Sequence, residues 1–251
     1  MLRSTLTIIK LILFYFVYQL GFGGITTVIS RFLVPMSPIT STSLAMVAST
    51  IMMGWHLTHF GYVRIAQDRY KEVSLATLGG SMVFIFSAMY ALNVLIEQAG
   101  IPNTLEDTFL AMARNPLGML SIAVLAPVLE ELLFRGAIQG QLLSICKRPW
   151  EAIVISSLIF GIVHMNPAQI PFAFLLGAMF GWLYYRTGSL LPGIVGHVLN
   201  NSTATFGMIL YGDTTIEEQM QSPQAMWLCV TVATVICILS AVWLNKTIRQ
   251  K

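Results

Sequence analysis

Charged positions along the chain are sparse, and the stretches between them are long and apolar. Lys10 to Arg31 encloses 20 uncharged residues, Glu72 to Glu97 encloses 24, Arg186 to Asp213 encloses 26 and Glu218 to Lys246 encloses 27. Each is long enough for one helical crossing of a bilayer, which takes about 20 residues. Two longer stretches, Arg31 to Arg64 and Glu151 to Arg186, hold 32 and 34 residues without a full charge, and proline-containing breaks divide them. The turn at Pro35-Met-Ser-Pro38 leaves a helix from about Ile39 to Ile65, and the break at Asn166-Pro-Ala-Gln-Ile-Pro171 leaves one helix on each side. A further helix runs from about Pro116 to Leu143. The pattern predicts an all-α polytopic membrane protein of about eight transmembrane helices, forming one integral membrane domain over residues 1–251. The first span has a basic start but lacks a small-residue exit, so it reads as a retained anchor rather than a cleaved signal peptide. In the loop from Gln98 to Asn115, a polar lid-like connection is favoured over a short interfacial helix around Leu105 to Arg114.

Composition strengthens this reading. With 10% charged and 56% hydrophobic residues, against about a quarter charged in soluble domains, and a mean hydropathy of +0.74, the chain is no ordinary water-soluble domain. Repeats of fixed period and low-complexity tracts are absent from the sequence. With the N-terminus in the cytoplasm, eleven Lys and Arg fall on the inner side and only Arg31 and Arg114 on the outer, a strong positive-inside signal. Both termini are therefore expected in the cytoplasm, with the chain in a bacterial inner membrane. The net charge of +3 then reflects orientation, and no basic patch with interleaved aromatics points to nucleic acid. Cys146 lies at the inner boundary, and Cys229 and Cys237 stand about 12 Å apart along the last helix, too far for a disulfide.

One helix breaks the apolar rule. Ala126-Pro-Val-Leu-Glu-Glu-Leu-Leu-Phe-Arg135 carries Glu130, Glu131 and Arg135 inside the membrane zone, where each charge costs about 2.5 to 3.5 kcal/mol on insertion scales and marks a functional site by default. Glu131 and Arg135 are spaced i,i+4 in the favoured order for an ion pair. That leaves Glu130 without a cation, a desolvated carboxyl of the kind a general base requires.

Polar partners lie on later helices. His164 closes Phe160-Gly-Ile-Val-His164, and His197 with Asn201 shares one helix face at i,i+4. At about 1.5 Å per residue, Glu130, His164 and His197 all fall roughly 12 to 22 Å deep, so they can share one intramembrane polar cavity. Such a set has two uses. Glu130 assisted by His164 can take a proton from water while His197 and Asn201 donate to the oxyanion of a tetrahedral intermediate. Alternatively Glu130, His164 and His197 can ligate zinc with a position left for water. No cofactor is required by the sequence, His-Glu-x-x-His and Gly-x-Ser-x-Gly are both absent, and Ser and Cys nucleophiles have no base beside them in sequence.

The motifs Glu130-Glu131-x-x-x-Arg135, Phe160-x-x-x-His164, Gly177-x-x-x-Gly181-Trp-Leu-Tyr184-Tyr-Arg-Thr-Gly-Ser189 and His197-x-x-x-Asn201 together resemble one family. This is the CPBP intramembrane proteases, which include the type II CAAX prenyl endopeptidases and the bacteriocin-processing or Abi proteins. The resemblance covers residues 127–201, within a motif-bearing core of about 116–211. It implies an eight-helix endopeptidase in which Glu130 and His164 activate water and His197 and Asn201 stabilise the oxyanion, with Glu131, Arg135 and Phe160 as structural support. It also implies a membrane-associated peptide or protein substrate, CAAX-like or leader-peptide-like. Two rivals come from other classes: a noncatalytic membrane adaptor or bacteriocin-immunity protein, and a proton-coupled transporter, which would show inverted repeats. Outside the motifs, His56 and His59 are spaced i,i+3 and read as polar residues near the inner end of a span rather than as metal ligands.

Overall fold

The computed structural model describes residues 2–63, 73–212 and 214–248, all helix, turn or irregular segment, with no strand among them. The helices are α1 (Leu2–Phe32), α2 (Pro38–His59), α3 (Leu75–Gln98), α4 (Glu106–Ala113), α5 (Pro116–Leu142), α6 (Pro149–Ile162), α7 (Gln169–Thr187), α8 (Leu191–Tyr211), α9 (Ile216–Met220) and α10 (Pro223–Thr247). Four of them, α1, α3, α5 and α10, are long and apolar enough to cross a membrane.

Helix starts follow local chemistry. Ser37, Ser74, Asn115 and Ser222 each accept a backbone N–H of the first turn, and Pro38, Pro116 and Pro223 follow three of them. A small polar cap satisfies donors that have no intrahelical acceptor, and proline at the first position gives up an N–H that would be unpaired anyway. α7 ends where Gly188 turns left-handed at φ 67°.

The sequence reading of these boundaries needs two corrections. α2 stops at His59, short of Ile65, because Gly61 takes φ 69° and breaks the helical path; Arg64 and Ile65 lie outside the described residues. The segment before Asn115 folds as a helix, α4, and not as an irregular lid, since Glu106 and Asp107 favour its N-terminus while Met112 and Ala113 are buried. Of the charges on which the orientation rests, Arg64, Arg69, Lys71, Asp213, Arg249 and Lys251 also lie outside the described residues.

The chain divides into two compact units. The first comprises 1–67, 105–148 and 197–210. In it α1 packs on α2, and α2 packs on α4 and α5, with Met112, Ala113 and Ile122 forming a core under Ile39, Met46 and Phe109. Gly118 permits the close approach, because a Cβ there would strike the Met112 backbone and the Ser43 hydroxyl. The second unit comprises 68–104, 149–196 and 211–251. There α3 packs on α7 and α10, and α6 packs on α7. Its cores join Phe84, Ile85, Leu176, Phe180, Leu183 and Leu244, and Ala91, Val94, Met226, Val230 and Ala233.

Burial sorts the four membrane-length helices. In α5, 56% of the most apolar window is buried, against 11% in α1 and 17% in α10. α1 and α10 expose apolar residues such as Leu13, Leu20, Leu228 and Leu239, as hydrocarbon solvent permits. α5, the most buried of them, is the one that carries charges in its interior, Glu130, Glu131 and Arg135.

Candidate active site

The path of α5 is set by a proline. Pro127 has no N–H and its ring crowds the carbonyl one turn back, so a regular helix through it is strained. The helix responds by widening to i→i+5 hydrogen bonding over Ser121–Leu125, with the Ala126 N–H reaching the Ser121 carbonyl. In that pattern the partner of the Ile122 carbonyl is residue 127, which cannot donate. The carbonyl instead accepts from Asn201 Nδ2 on α8 at 3.0 Å. A second widened segment runs Glu131–Gln139; such turns concentrate at functional sites.

Glu130 and Glu131 flank the start of that second segment. Arg135 Nη1 donates to Glu131 Oε1 at 2.8 Å, with both side chains 1% exposed. The same oxygen lies 3.0 Å from His197 Nδ1. Because a carboxylate only accepts, Nδ1 carries a proton there, and the ring's orientation is set by Glu131. Its other nitrogen, Nε2, stands 3.5 Å from Glu130 Oε2. His197 is thus held between the two adjacent carboxyls, one fully buried and the other 13% exposed.

Glu130 also lines a small cleft with Tyr15 and Gln19 of α1, Met46, Ser49, Thr50 and Met53 of α2, and Ala126 and Leu129 of its own helix. Its narrow part has room for about one water molecule.

The remaining sequence-predicted residues fall as follows. Asn201, besides holding Ile122, accepts from Asn200 Nδ2 at 2.9 Å. His164 belongs to the second unit, where Nδ1 donates to the Phe160 carbonyl at 2.7 Å and the ring meets Phe160 edge-on at 4.9 Å. This fixes its tautomer, leaving Nε2 as the acceptor of the neutral ring. Two residues on, the buried Asn166 donates to Asn103 and accepts from the Thr104 N–H. His56 and His59 sit among aromatic rings, His56 Nδ1 being 2.8 Å from the Tyr18 hydroxyl and His59 stacked on Trp55. Among the described residues no three His, Cys, Asp or Glu side chains gather as ligands for one metal ion.

Sequence reasoning missed the contribution of α1. The signal was present: Tyr15 and Gln19 are polar residues at i,i+4 within the uncharged run from Lys10 to Arg31. It also missed the Glu131–His197 contact, for which no local spacing gives a clue.

Comparison with known proteins bears on the same segment. Residues 113–203 match the family described as type II CAAX prenyl endopeptidase Rce1-like. The chain is 30% identical over 156 residues to the "Membrane-embedded CAAX protease MroQ" of Staphylococcus aureus, covering 59% of this chain and 63% of that protein. It is 30% identical over 131 residues to the "Putative membrane peptidase YdiL" of Bacillus subtilis, covering 51% of this chain and 53% of that protein. The matches therefore span under two thirds of each relative's length. No solved structure matches the chain. Over residues 113–203, the stretch bearing Glu130, His164, His197 and Asn201, this integral membrane protein is similar to the family described as type II CAAX prenyl endopeptidase Rce1-like, the resemblance that its motifs carry.

Proposed function

We propose that the protein is an intramembrane endopeptidase that hydrolyses a peptide bond of a membrane-associated substrate, with Glu130 as general base. The observation that carries this reading is Glu130 itself: a carboxyl on the most buried membrane-length helix, beside an oriented imidazole and lining a water-sized cleft. Glu130 takes a proton from water as the water oxygen attacks the carbonyl carbon. It then returns that proton to the amide nitrogen as the C–N bond breaks. His197 and Asn201 stabilise the oxyanion; Asn201 keeps a second amide hydrogen after bonding Ile122. His164 assists water activation, the role implied by the family motif. Glu131 and Arg135 hold His197 in place.

The reading includes about eight spans, cytoplasmic termini and a bacterial inner membrane, in keeping with the eleven-to-two distribution of basic residues. The zinc alternative needs a third ligand beside Glu130 and His197, so no step is routed through a metal. Elemental analysis and chelator treatment decide that point.

The test compares purified wild type, Glu130→Gln and His164→Ala on a quenched library of membrane peptides. Wild type is expected to cleave, and both variants to stay folded and lose turnover. Equal turnover in wild type and Glu130→Gln overturns the assignment. Equal transport or binding phenotypes without any cleavage would favour the noncatalytic readings.

A further inference from the structure

The ring of His164 is presented from an irregular helix end. Where α6 finishes, the hydrogen bonding tightens: the His164 N–H, which in a regular helix reaches the Phe160 carbonyl, goes to the Gly161 carbonyl at 3.2 Å, and the Met165 N–H goes to the Ile162 carbonyl at 3.1 Å. The Phe160 carbonyl takes the ring Nδ1–H at 2.7 Å. The aim of Nε2 therefore follows the winding of the last turn as well as the rotation of the side chain. That winding is held by what comes next. Met165 adopts φ 51°, a left-handed conformation that glycine takes readily and a side chain resists, so it persists only where the surroundings impose it. The Met165 side chain is 69% exposed and packs too little to impose it. Asn166, by contrast, is fully buried. Its carbonyl accepts the Gln169 and Ile170 N–H groups at 2.9 and 3.0 Å, where α7 begins. Its side chain donates to Asn103 Oδ1 at 2.8 Å and accepts the Thr104 N–H at 3.2 Å. With both ends of its amide engaged, Asn166 cannot shift without giving up two bonds.

We infer that Asn166 is a positioning residue for His164: clamped to Asn103 and Thr104, it fixes the left-handed turn at Met165 and with it the tightened helix end that presents the imidazole. The inference rests on the endopeptidase reading, in which His164 assists water activation. Asn166 makes and breaks no bond in the reaction. Its effect passes through the imidazole, so it belongs in turnover and in the state of the ring, and not in substrate binding.

The test uses the full-length protein in lipid nanodiscs, with isotope-labelled histidine rings read by nitrogen NMR, and the library peptide that wild type cleaves best. The His164 signals are identified by their loss in His164→Ala. Asn166→Ala should lower kcat about 100-fold, as displacement of a catalytic group does, with KM within about threefold. Its His164 ring should lose the Nδ1–H form that the Phe160 carbonyl holds in wild type. Asn103 is exposed, so Asn103→Ala is expected to fold; it removes one of the two bonds and should shift kcat and the ring signals in the same direction by less. Asn103→Asp keeps an acceptor oxygen for the Asn166 amide and should recover what Asn103→Ala loses. If Asn166→Ala does not fold, the two Asn103 variants decide the matter. Wild-type kcat or an unaltered His164 ring in the alanine variants, or equal losses in Asn103→Asp and Asn103→Ala, overturns the assignment to Asn166 while His164 stands. A wild type that cleaves no peptide, or a His164→Ala variant that cleaves normally, overturns the reading of His164 and this assignment with it.

Discussion

His197 Nδ1 and Glu131 Oε1 lie 3.0 Å apart, on the oxygen that also receives Arg135 at 2.8 Å. The buried ion pair therefore does more than neutralise two charges: it orients an imidazole toward the neighbouring carboxyl. Stability and activity should separate when the pair is taken apart in different ways.

Arg135→Met leaves the Glu131 charge buried without its cation, a change that costs about 3 to 5 kcal/mol, and should lower the unfolding temperature sharply in detergent. Glu131→Gln should lower both stability and turnover. Replacing both residues by Leu and Met is expected to recover much of the stability, since well-packed apolar pairs substitute for buried ion pairs at little cost, while turnover stays low because His197 has lost its orienting acceptor. Thermal melts beside kcat values check all three.

Glu130 and His197 should behave as one unit. If Nε2 acts on the carboxyl 3.5 Å away, Glu130→Gln, His197→Ala and the double variant should lose turnover to about the same extent, the non-additivity expected of groups in one network. Additive losses in kcat would separate them.

Pro127→Ala restores an N–H at the position that leaves the Ile122 carbonyl to Asn201. The regained backbone bond competes with the Asn201 amide. The expected result is a helix at least as stable as wild type, by up to about 3 kcal/mol from removing an interior proline, with kcat reduced several-fold. Amide exchange on α5 and steady-state kinetics read the two effects separately.

Asn166→Ala should loosen the turn that follows His164. Asn103 Oδ1 and the Thr104 N–H would both lose their partner on the buried Asn166, and because Asn103 and Thr104 are themselves exposed the cost is that of ordinary hydrogen bonds, about 0.5 to 1.5 kcal/mol each. Faster proteolysis between Ile162 and Gln169 is the expected signature.

At the start of α9, the Thr215 N–H donates to Glu218 at 2.9 Å and the Glu218 N–H to Thr215 Oγ1 at 3.1 Å. The backbone bond first, and the threonine side chain second, hold the Glu218 carboxyl below its ordinary range. A lowered carboxylate supports the folded form above its unfolded value, and that support is lost as pH falls through the folded value. Acidification should therefore fray α9, seen as faster exchange of the Thr215 amide, and Glu218→Gln should remove the pH dependence.

Much of this was legible in the sequence. Ser37-Pro38, Asn115-Pro116 and Ser222-Pro223 announce helix starts because capping is a local property. Glu130 stood out because an intramembrane carboxyl is costly. The end of α2 was misplaced because the apolar run continues past Gly61, whose left-handed turn no hydropathy pattern shows. The Glu131–His197 contact and the Tyr15 wall come from α8 and α1 meeting α5, and such pairings are set by tertiary packing, which spacing along one helix does not encode.

In hydrocarbon a backbone carbonyl denied its helical donor has no water to turn to, so the gap left by Pro127 acts as a socket that the Asn201 amide fills. Neither residue is then free to vary alone: loss of the amide strands the carbonyl, and loss of the imino acid closes the socket. Among related chains the two positions should drift together, an evolutionary tether between helices built from a missing hydrogen.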